Sequence, residues 1–276
     1  MKKLIDYAYN KYSQFGEDGI IEKIFQVVGT ESKLCIEFGA WDGLHYSNTA
    51  RLWMDGWPAV LIEMNIEKYR ELLRNIDGYK CCAINAKVGS GIEDQLEVLL
   101  DKYAGNVAKQ VDFISIDVDG DDYHIFESLS SSFKPRVVCC EYNPTIPPNI
   151  ELVPGKGNYF GCSALSLTKL AKRKGYSLIA MTETNCFFVL EEYAKNFKDY
   201  ETRLEFLFIP KHLTYLMSGY DGDFLLSRQP TYGFRKALTS AFVGKYYSIP
   251  IEQKKSSTQL LKRILKIVYS KFRAKS

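Results

Sequence analysis

The chain has 276 residues, 46% hydrophobic and 25% charged, enough for one large α/β domain with a full core and ordinary for a soluble globular protein. Its formal net charge of +3 hides an asymmetry: residues 254–276 hold eight of the 36 Lys and Arg and no acid, leaving 28 basic against 33 acidic residues elsewhere. A main domain with a balance of −5 offers no distributed basic groove for phosphates, so nucleic acid is excluded as its expected substrate.

Seven cysteines are present without a C-x-x-C pair, and Cys35, Cys81, Cys82, Cys139 and Cys140 fall in apolar, strand-like runs. That pattern argues against zinc and against a disulfide framework, and reads as small core residues in a reducing compartment. No secretory h-region and no run near ~18 apolar residues is visible, so the expected location is cytoplasmic.

Residues 12–28 pass from polar and glycine residues into Ile20, Ile21, Ile24, Phe25 and Val28, a helical stripe for which Ser13 to Asp18 provide a capped start. Leu34 to Ile36 then form an apolar run that ends in Glu37, turns on Gly39 and Gly43, and restarts at Ser47-Asn48-Thr49. This is strand, glycine loop, helix, a turn at which a backbone without side chains can approach a nucleotide-like ligand. A pyrophosphate would need G-x-G-x-x-G, but Trp41 and Asp42 stand between these two glycines. Glu37 and Asp42 instead suit a cationic, hydrogen-bond-donating ligand such as S-adenosylmethionine. The segment E37-F38-G39-A40-W41-D42-G43 resembles the first motif of class I S-adenosylmethionine-dependent methyltransferases, and most closely that of the FkbM branch, D-x-G-A-N-x-G, from which Trp41 departs. The preceding S-Q-x-G-E-D, residues 13–18, also resembles that branch, where the segment lies over the cofactor cleft and brings Gln14 to it.

A short helix over 47–54 leads to a second buried strand, Ala59 to Ile62, which closes on Glu63. An acid there can accept both hydroxyls of a ribose, and NAD enzymes place one likewise, so Glu63 supports a nucleoside cofactor without choosing which. A helix over 65–76 and a strand from Tyr79 to Ile84 follow, and the resemblance puts adenine contacts at Asn85 and Ala86. Together with Gln14, Glu37, Gly39, Ala40, Asp42, Gly43, Asn48, Glu63 and Asp117, these form the expected cofactor set.

Beyond a helix over 93–103, the run from Val111 to Ile116 is a buried strand that opens into Asp117, Asp119, Asp121 and Asp122. Four carboxylates so close repel one another unless cations or donors compensate. One of Asp121 and Asp122 is expected to cap the helix running to Leu129, leaving Asp117 and Asp119 for function. I-D-V-D-G-D-D aligns with the I-D-V-E-G-A-E motif of the FkbM branch. A fifth strand, Arg136 to Cys140, again ends in an acid, Glu141, followed by Asn143. Asp117, Asp119 and Glu141 make an oxygen set suited to Mg²⁺ or Mn²⁺. His45 and His124 are placed to take an acceptor proton, or to serve as surface or capping residues. With Asp117 and Asp119 they complete the catalytic candidates.

The Pro- and Gly-rich stretch 142–161 is too long for an idle connection and is expected to shape the acceptor pocket. A helix from Ser163 to Gly175 precedes two strands, 176–181 and 185–190, which resemble the closing antiparallel hairpin of the methyltransferase sheet. The path of 191–250 does not follow from the sequence. At 251–276, Leu260, Leu261, Ile264, Leu265, Val268 and Phe272 recur at helical spacing among Lys and Arg, a basic amphipathic tail that can dock on its own domain, form a homodimer contact or lie on the inner face of an anionic membrane.

The fold expected is a Rossmann-like class I methyltransferase domain, residues 1–250 with an extension from about 191, built on a mainly parallel seven-stranded sheet with helices on both faces. The activity that the resemblance implies is O-methylation of a sugar hydroxyl, on a nucleotide-activated or surface-polysaccharide (capsule or lipopolysaccharide) sugar. Two rivals stand beside it: an NAD-dependent oxidoreductase, and a non-catalytic, membrane-apposed binding protein.

Overall fold

A computed structural model describes residues 1–105, 110–222, 224–228 and 230–232. The chain divides into two compact units, Met1–Leu213 and Thr214–Ser276. Of the second, the described part is a hairpin of β8 (Leu216–Ser218) and β9 (Phe224–Leu226), and the expected tail helix at 251–276 lies outside the described residues.

The first unit is a seven-stranded sheet. Its strands are β1 (Cys35–Phe38), β2 (Ala59–Ile62), β3 (Cys81–Ile84), β4 (Phe113–Ile116), β5 (Val137–Glu141), β6 (Tyr176–Met181) and β7 (Asn185–Leu190), in the order β3-β2-β1-β4-β5-β7-β6. All neighbours from β3 to β5 are parallel, and β7 enters antiparallel between β5 and β6. That order, with its one reversed strand, is the class I Rossmann-like methyltransferase fold, as the sequence led us to expect.

Short parallel strands covered on both sides are apolar at nearly every position, and the polar residues inside them, Glu37 in β1 and Ser115 in β4, are buried and hydrogen-bonded. Ile36, Phe38, Val60, Ile62, Ile114, Ile116 and Val138 face one apolar layer, with side chains from α4 (Leu96–Tyr103), α5 (Asp122–Ser128) and α6 (Ala164–Arg173). Cys35, Ala59, Leu61, Phe113, Val137 and Cys139 face the other, with α1 (Glu17–Val28), α2 (Ala50–Met54) and α3 (Ile66–Asn75). Two helix starts follow sequence chemistry closely. Asn65 caps α3 by accepting from the amides of Glu67 and Lys68, and the Ser163 hydroxyl caps α6 by accepting from that of Ser166. α7 (Glu191–Ala194) and α8 (Leu204–Leu207) complete the unit.

The two edges of the sheet differ in kind. At the amino ends the buried Asp112 accepts from the amides of Glu31 and Lys33 and pairs with Arg136 at 3.1 Å, a structural knot. At the carboxyl ends the register aligns Phe38, Ile62, Ile116 and Cys140, so Gly39, Glu63, Asp117 and Glu141 come one step later, side by side.

Candidate functional site

The turn after β1 is wound by left-handed residues, Gly39 (φ 73°), Trp41 (φ 51°) and Gly43 (φ 83°). A Cβ on Gly39 would lie 2.0 Å from the Asp117 carbonyl oxygen, and one on Gly43 would lie 2.6 Å from the Leu72 side chain. Both glycines therefore admit neighbouring protein; the close approach expected for a ligand is taken at Gly39 by the end of β4 and at Gly43 by α3. The Ala40 amide ties the turn to β2 through the Ile62 carbonyl at 3.1 Å.

Glu37 is buried and accepts from the Ser47 and Thr49 hydroxyls, each at 2.6 Å, and from the Asn48 amide at 2.8 Å. Burial raises its pKa, and these donors offset part of the rise. It holds the approach to α2 in place. Asn48 turns its own amide beneath the sheet to Ser115, 3.0 Å away. Asp42 closes its own turn on the amides of Leu44 and His45.

Glu63, one step past the end of β2, is buried, 4% exposed. Its carboxylate accepts from the Trp41 amide at 2.8 Å and the Asn65 amide at 2.6 Å, fixing the β1 turn against the start of α3. Exposed Asn85 donates to the Glu63 carbonyl at 2.7 Å, with the half-buried Ala86 beside it. Around Glu63 the apolar Trp41, Met64 and Ile66 are exposed.

The acids of β4 and β5 meet. Oxygens of Asp117, Asp122 and Glu141 lie within 4.8 Å of one another, and Asp117 and Glu141 share a hydrogen bond. Burial, then repulsion from Asp122, Asp119 and Glu37, pushes Asp117 up to about 8, and burial raises Asp122 to about 6 despite the Val118 and Gly120 amides it accepts. Glu141 is raised well above the carboxylate range by burial and by Asp117. Two carboxyls that hydrogen-bond must hold a proton between them, so the cluster keeps protons where separate acids would not.

The sequence-based trio thus changes one member. Asp119 is exposed, in a left-handed conformation (φ 58°), and bonds the Tyr159 hydroxyl, while Asp122, one of the two acids of which a single helix cap was expected, joins Asp117 and Glu141. Asn143, which follows Glu141 in the sequence, gives its side-chain amide to the Phe160 carbonyl. The 142–161 stretch covers the β4–α5 turn: the Gly157 amide bonds Asp121, and a Cβ on Gly120 would come within 2.9 Å of the Asn158 carbonyl.

The two histidines lie apart from this cluster in their bonding. His124 donates Nε2–H to the Pro154 carbonyl at 2.8 Å and leaves Nδ1 buried without a partner, while exposed His45 lies against the Tyr46 ring. Gln14 is exposed, and its main-chain carbonyl accepts from Asn10 Nδ2 at 2.9 Å. The buried thiols of Cys35, Cys139, Cys140 and Cys186 are held protonated by burial, which suits core residues and not nucleophiles. A cavity of about 540 Å³ lies away from all of these, lined by Lys172, Tyr176, Glu191 and Glu201 beside β6, and another of about 360 Å³ lies between α1 and α2.

Two residues escaped sequence reasoning. Asn185 is paired across β5–β7 with Glu141, and its Nδ2 donates to Glu17 at 3.1 Å while Oδ1 is buried and unpartnered. Glu17, fully buried, also accepts from the Thr182 hydroxyl and the Phe15 amide, joining the start of α1 to the β6–β7 hairpin. The acid of the S-Q-x-G-E-D segment was visible; its partners, some 165 residues away in the chain, were not.

No protein-family model matches the sequence, and no curated protein matches it. Among solved structures, the chain is similar to an S-adenosylmethionine-dependent methyltransferase from Clostridium acetobutylicum (TM-score 0.41, 10% identity, covering 63% of this chain and 90% of the other). It is similar also to one from Aquifex aeolicus (0.38, 11%, 63% and 88%) and to the glycopeptide N-methyltransferase MtfA complexed with S-adenosylmethionine (0.36, 12%, 65% and 88%). At such scores the assignment of the sheet stands on its own strand order. Among the described residues no helix is long and apolar enough to cross a membrane.

Proposed function

We propose that the protein is an S-adenosylmethionine-dependent O-methyltransferase of the FkbM kind, acting on a sugar hydroxyl of a nucleotide-activated or surface-polysaccharide precursor. The observation that carries this reading is the row Glu63, Asp117 and Glu141 at the carboxyl edge of a sheet of this topology, beside a glycine turn. An anionic edge without a phosphate loop fits a cationic nucleoside ligand better than a pyrophosphate, which leaves the NAD-dependent reading without support.

The residues fit such a cofactor. Glu63 uses one acceptor position on each oxygen for backbone amides, and a carboxylate has about four in all, so capacity remains for ribose hydroxyls. The Asp117, Asp122 and Glu141 cluster favours positive charge nearby. Bound at this edge, S-adenosylmethionine supplies an electrophilic methyl group. The chain itself contributes orientation, and Asp117, which holds its own proton until about pH 8, would take the acceptor's proton only in its ionised form, so that transfer would rise with pH toward 8. A Mg²⁺ or Mn²⁺ ion would find hard oxygen donors in Asp117, Asp122 and Glu141, and would ease loss of the hydroxyl proton. A cytoplasmic enzyme whose basic tail meets the inner membrane face, or a second copy, completes the proposal.

The test is mass spectrometry of the purified protein incubated with methyl-labelled cofactor and a panel of nucleotide sugars, with cofactor binding followed by calorimetry. Transfer to one sugar is expected; absence of cofactor binding would overturn the proposal.

A further inference from the structure

Trp41 is an expensive residue for its place. Its backbone is left-handed (φ 51°), a conformation that Gly and Asn adopt at lower cost and that a bulky side chain resists. The indole gains little burial in return, being 44% exposed, while the other two tryptophans, Trp53 and Trp57, are 0% and 7% exposed. One interaction orients it: the Lys68 ammonium lies 4.9 Å from the ring centroid. Its amide is bonded to the Glu63 carboxylate, and Met64 and Ile66, also exposed, follow Glu63 in the chain. An aromatic face held in a strained turn, with two uncovered apolar side chains near the same carboxylate, is a surface that a planar base or its sugar would cover.

We infer that the Trp41 indole is a contact surface for the nucleoside half of the ligand, next to the ribose position at Glu63. The inference rests on the methyltransferase reading and adds to it a residue that the expected cofactor set lacks. It commits to the nucleoside rather than the methyl acceptor because the Trp41 amide and the proposed ribose hydroxyls share one carboxylate.

The full-length protein carries its own reporter, since Trp41 is the exposed one of its three tryptophans. Adenosine and S-adenosylmethionine should each change the intrinsic emission saturably, and methionine alone should not. Trp41→Asn keeps a residue that accepts the left-handed turn. It should abolish the emission change and weaken calorimetric affinity for S-adenosylmethionine about tenfold, a usual scale for one aromatic stack, with a melting temperature equal to or above that of the wild type. Trp41→Phe should bind within about threefold of wild type, because it keeps a ring. If Trp41→Asn binds as tightly as wild type, or if adenosine leaves Trp41 emission unchanged while S-adenosylmethionine binds, the inference is overturned and the methyltransferase reading survives. Absence of any S-adenosylmethionine binding by the wild type removes both.

Discussion

Glu63, one step past the end of β2, and Glu37, inside β1, are both buried acids, yet their side chains have different employment. Glu37 is surrounded by two hydroxyls and an amide supplied by the approach to α2, so its contribution is to the turn itself. Glu63 accepts only two backbone amides and stands among exposed apolar groups, so it is the better placed to meet a ligand. Glu63→Ala is expected to weaken S-adenosylmethionine binding by about 1.5–3 kcal/mol, the scale of charge-assisted hydrogen bonds, as read by calorimetry. Part of that loss will come from the Trp41 and Asn65 amides, which lose their acceptor. Unchanged affinity would take Glu63 out of the site.

At the scale of elements, the ends of β4 and β5 and the start of α5 bring three carboxyls together, and the consequence is a pH dependence of stability. Asp117 has an ordinary pKa of 3.8 and is pushed up to about 8 by burial and neighbouring acids. Between those values the native state holds a proton that the unfolded chain has released, so stability falls as pH rises through that window. With a chelator present, the melting temperature should fall from about pH 5 to about pH 8, and Asp117→Asn should flatten the fall. One kcal/mol corresponds to roughly 2–4 °C for a domain of this size, so the change is within easy reach of calorimetry. Excess Mg²⁺ or Mn²⁺ should restore more of the melting temperature at pH 8, where the carboxyls are free to bind it, than at pH 5. A wild-type melting temperature that does not fall over this range would mean that the three acids are not held together as described.

For the molecule as a whole, Met1–Leu213 contains the complete sheet and both apolar layers. That segment is expected to fold alone, with one cooperative transition and the cofactor affinity of the full chain. Loss of cooperativity on truncation would show that the second unit is part of the core. The basic tail raises a separate expectation, since each Lys or Arg near an anionic leaflet contributes about 1 kcal/mol. Full-length protein should cosediment with anionic vesicles at low salt and not at high salt, and protein ending at Gln253 should not cosediment at all. No binding by the full chain, with a lower melting temperature after truncation, would instead assign the tail to docking on its own domain.

From residue 12 to residue 190 the sequence alone was enough for the elements and their order of appearance, whereas α7, α8, β8 and β9 beyond it did not follow from the sequence. Strands such as Ala59–Ile62 are buried on both faces and so are apolar throughout, and the caps at Asn65 and Ser163 act within a few residues of themselves. Acids at strand ends were legible for the same reason: the strand says where it stops. Tertiary structure decided which of those acids meet. One left-handed residue at Asp119 turns the chain so that Asp122, and not Asp119, reaches Asp117 and Glu141, and no periodicity records the sign of a single φ. Asn185 stands opposite Glu141 only because β7 inserts antiparallel between β5 and β6, and Glu17 finds Thr182 and Asn185 only because α1 packs on that side of the sheet. Local patterning sets helices and strands through nearest neighbours, whereas the destination of a polar side chain is set by backbone signs in loops and by strand order, which arise when the whole chain has packed.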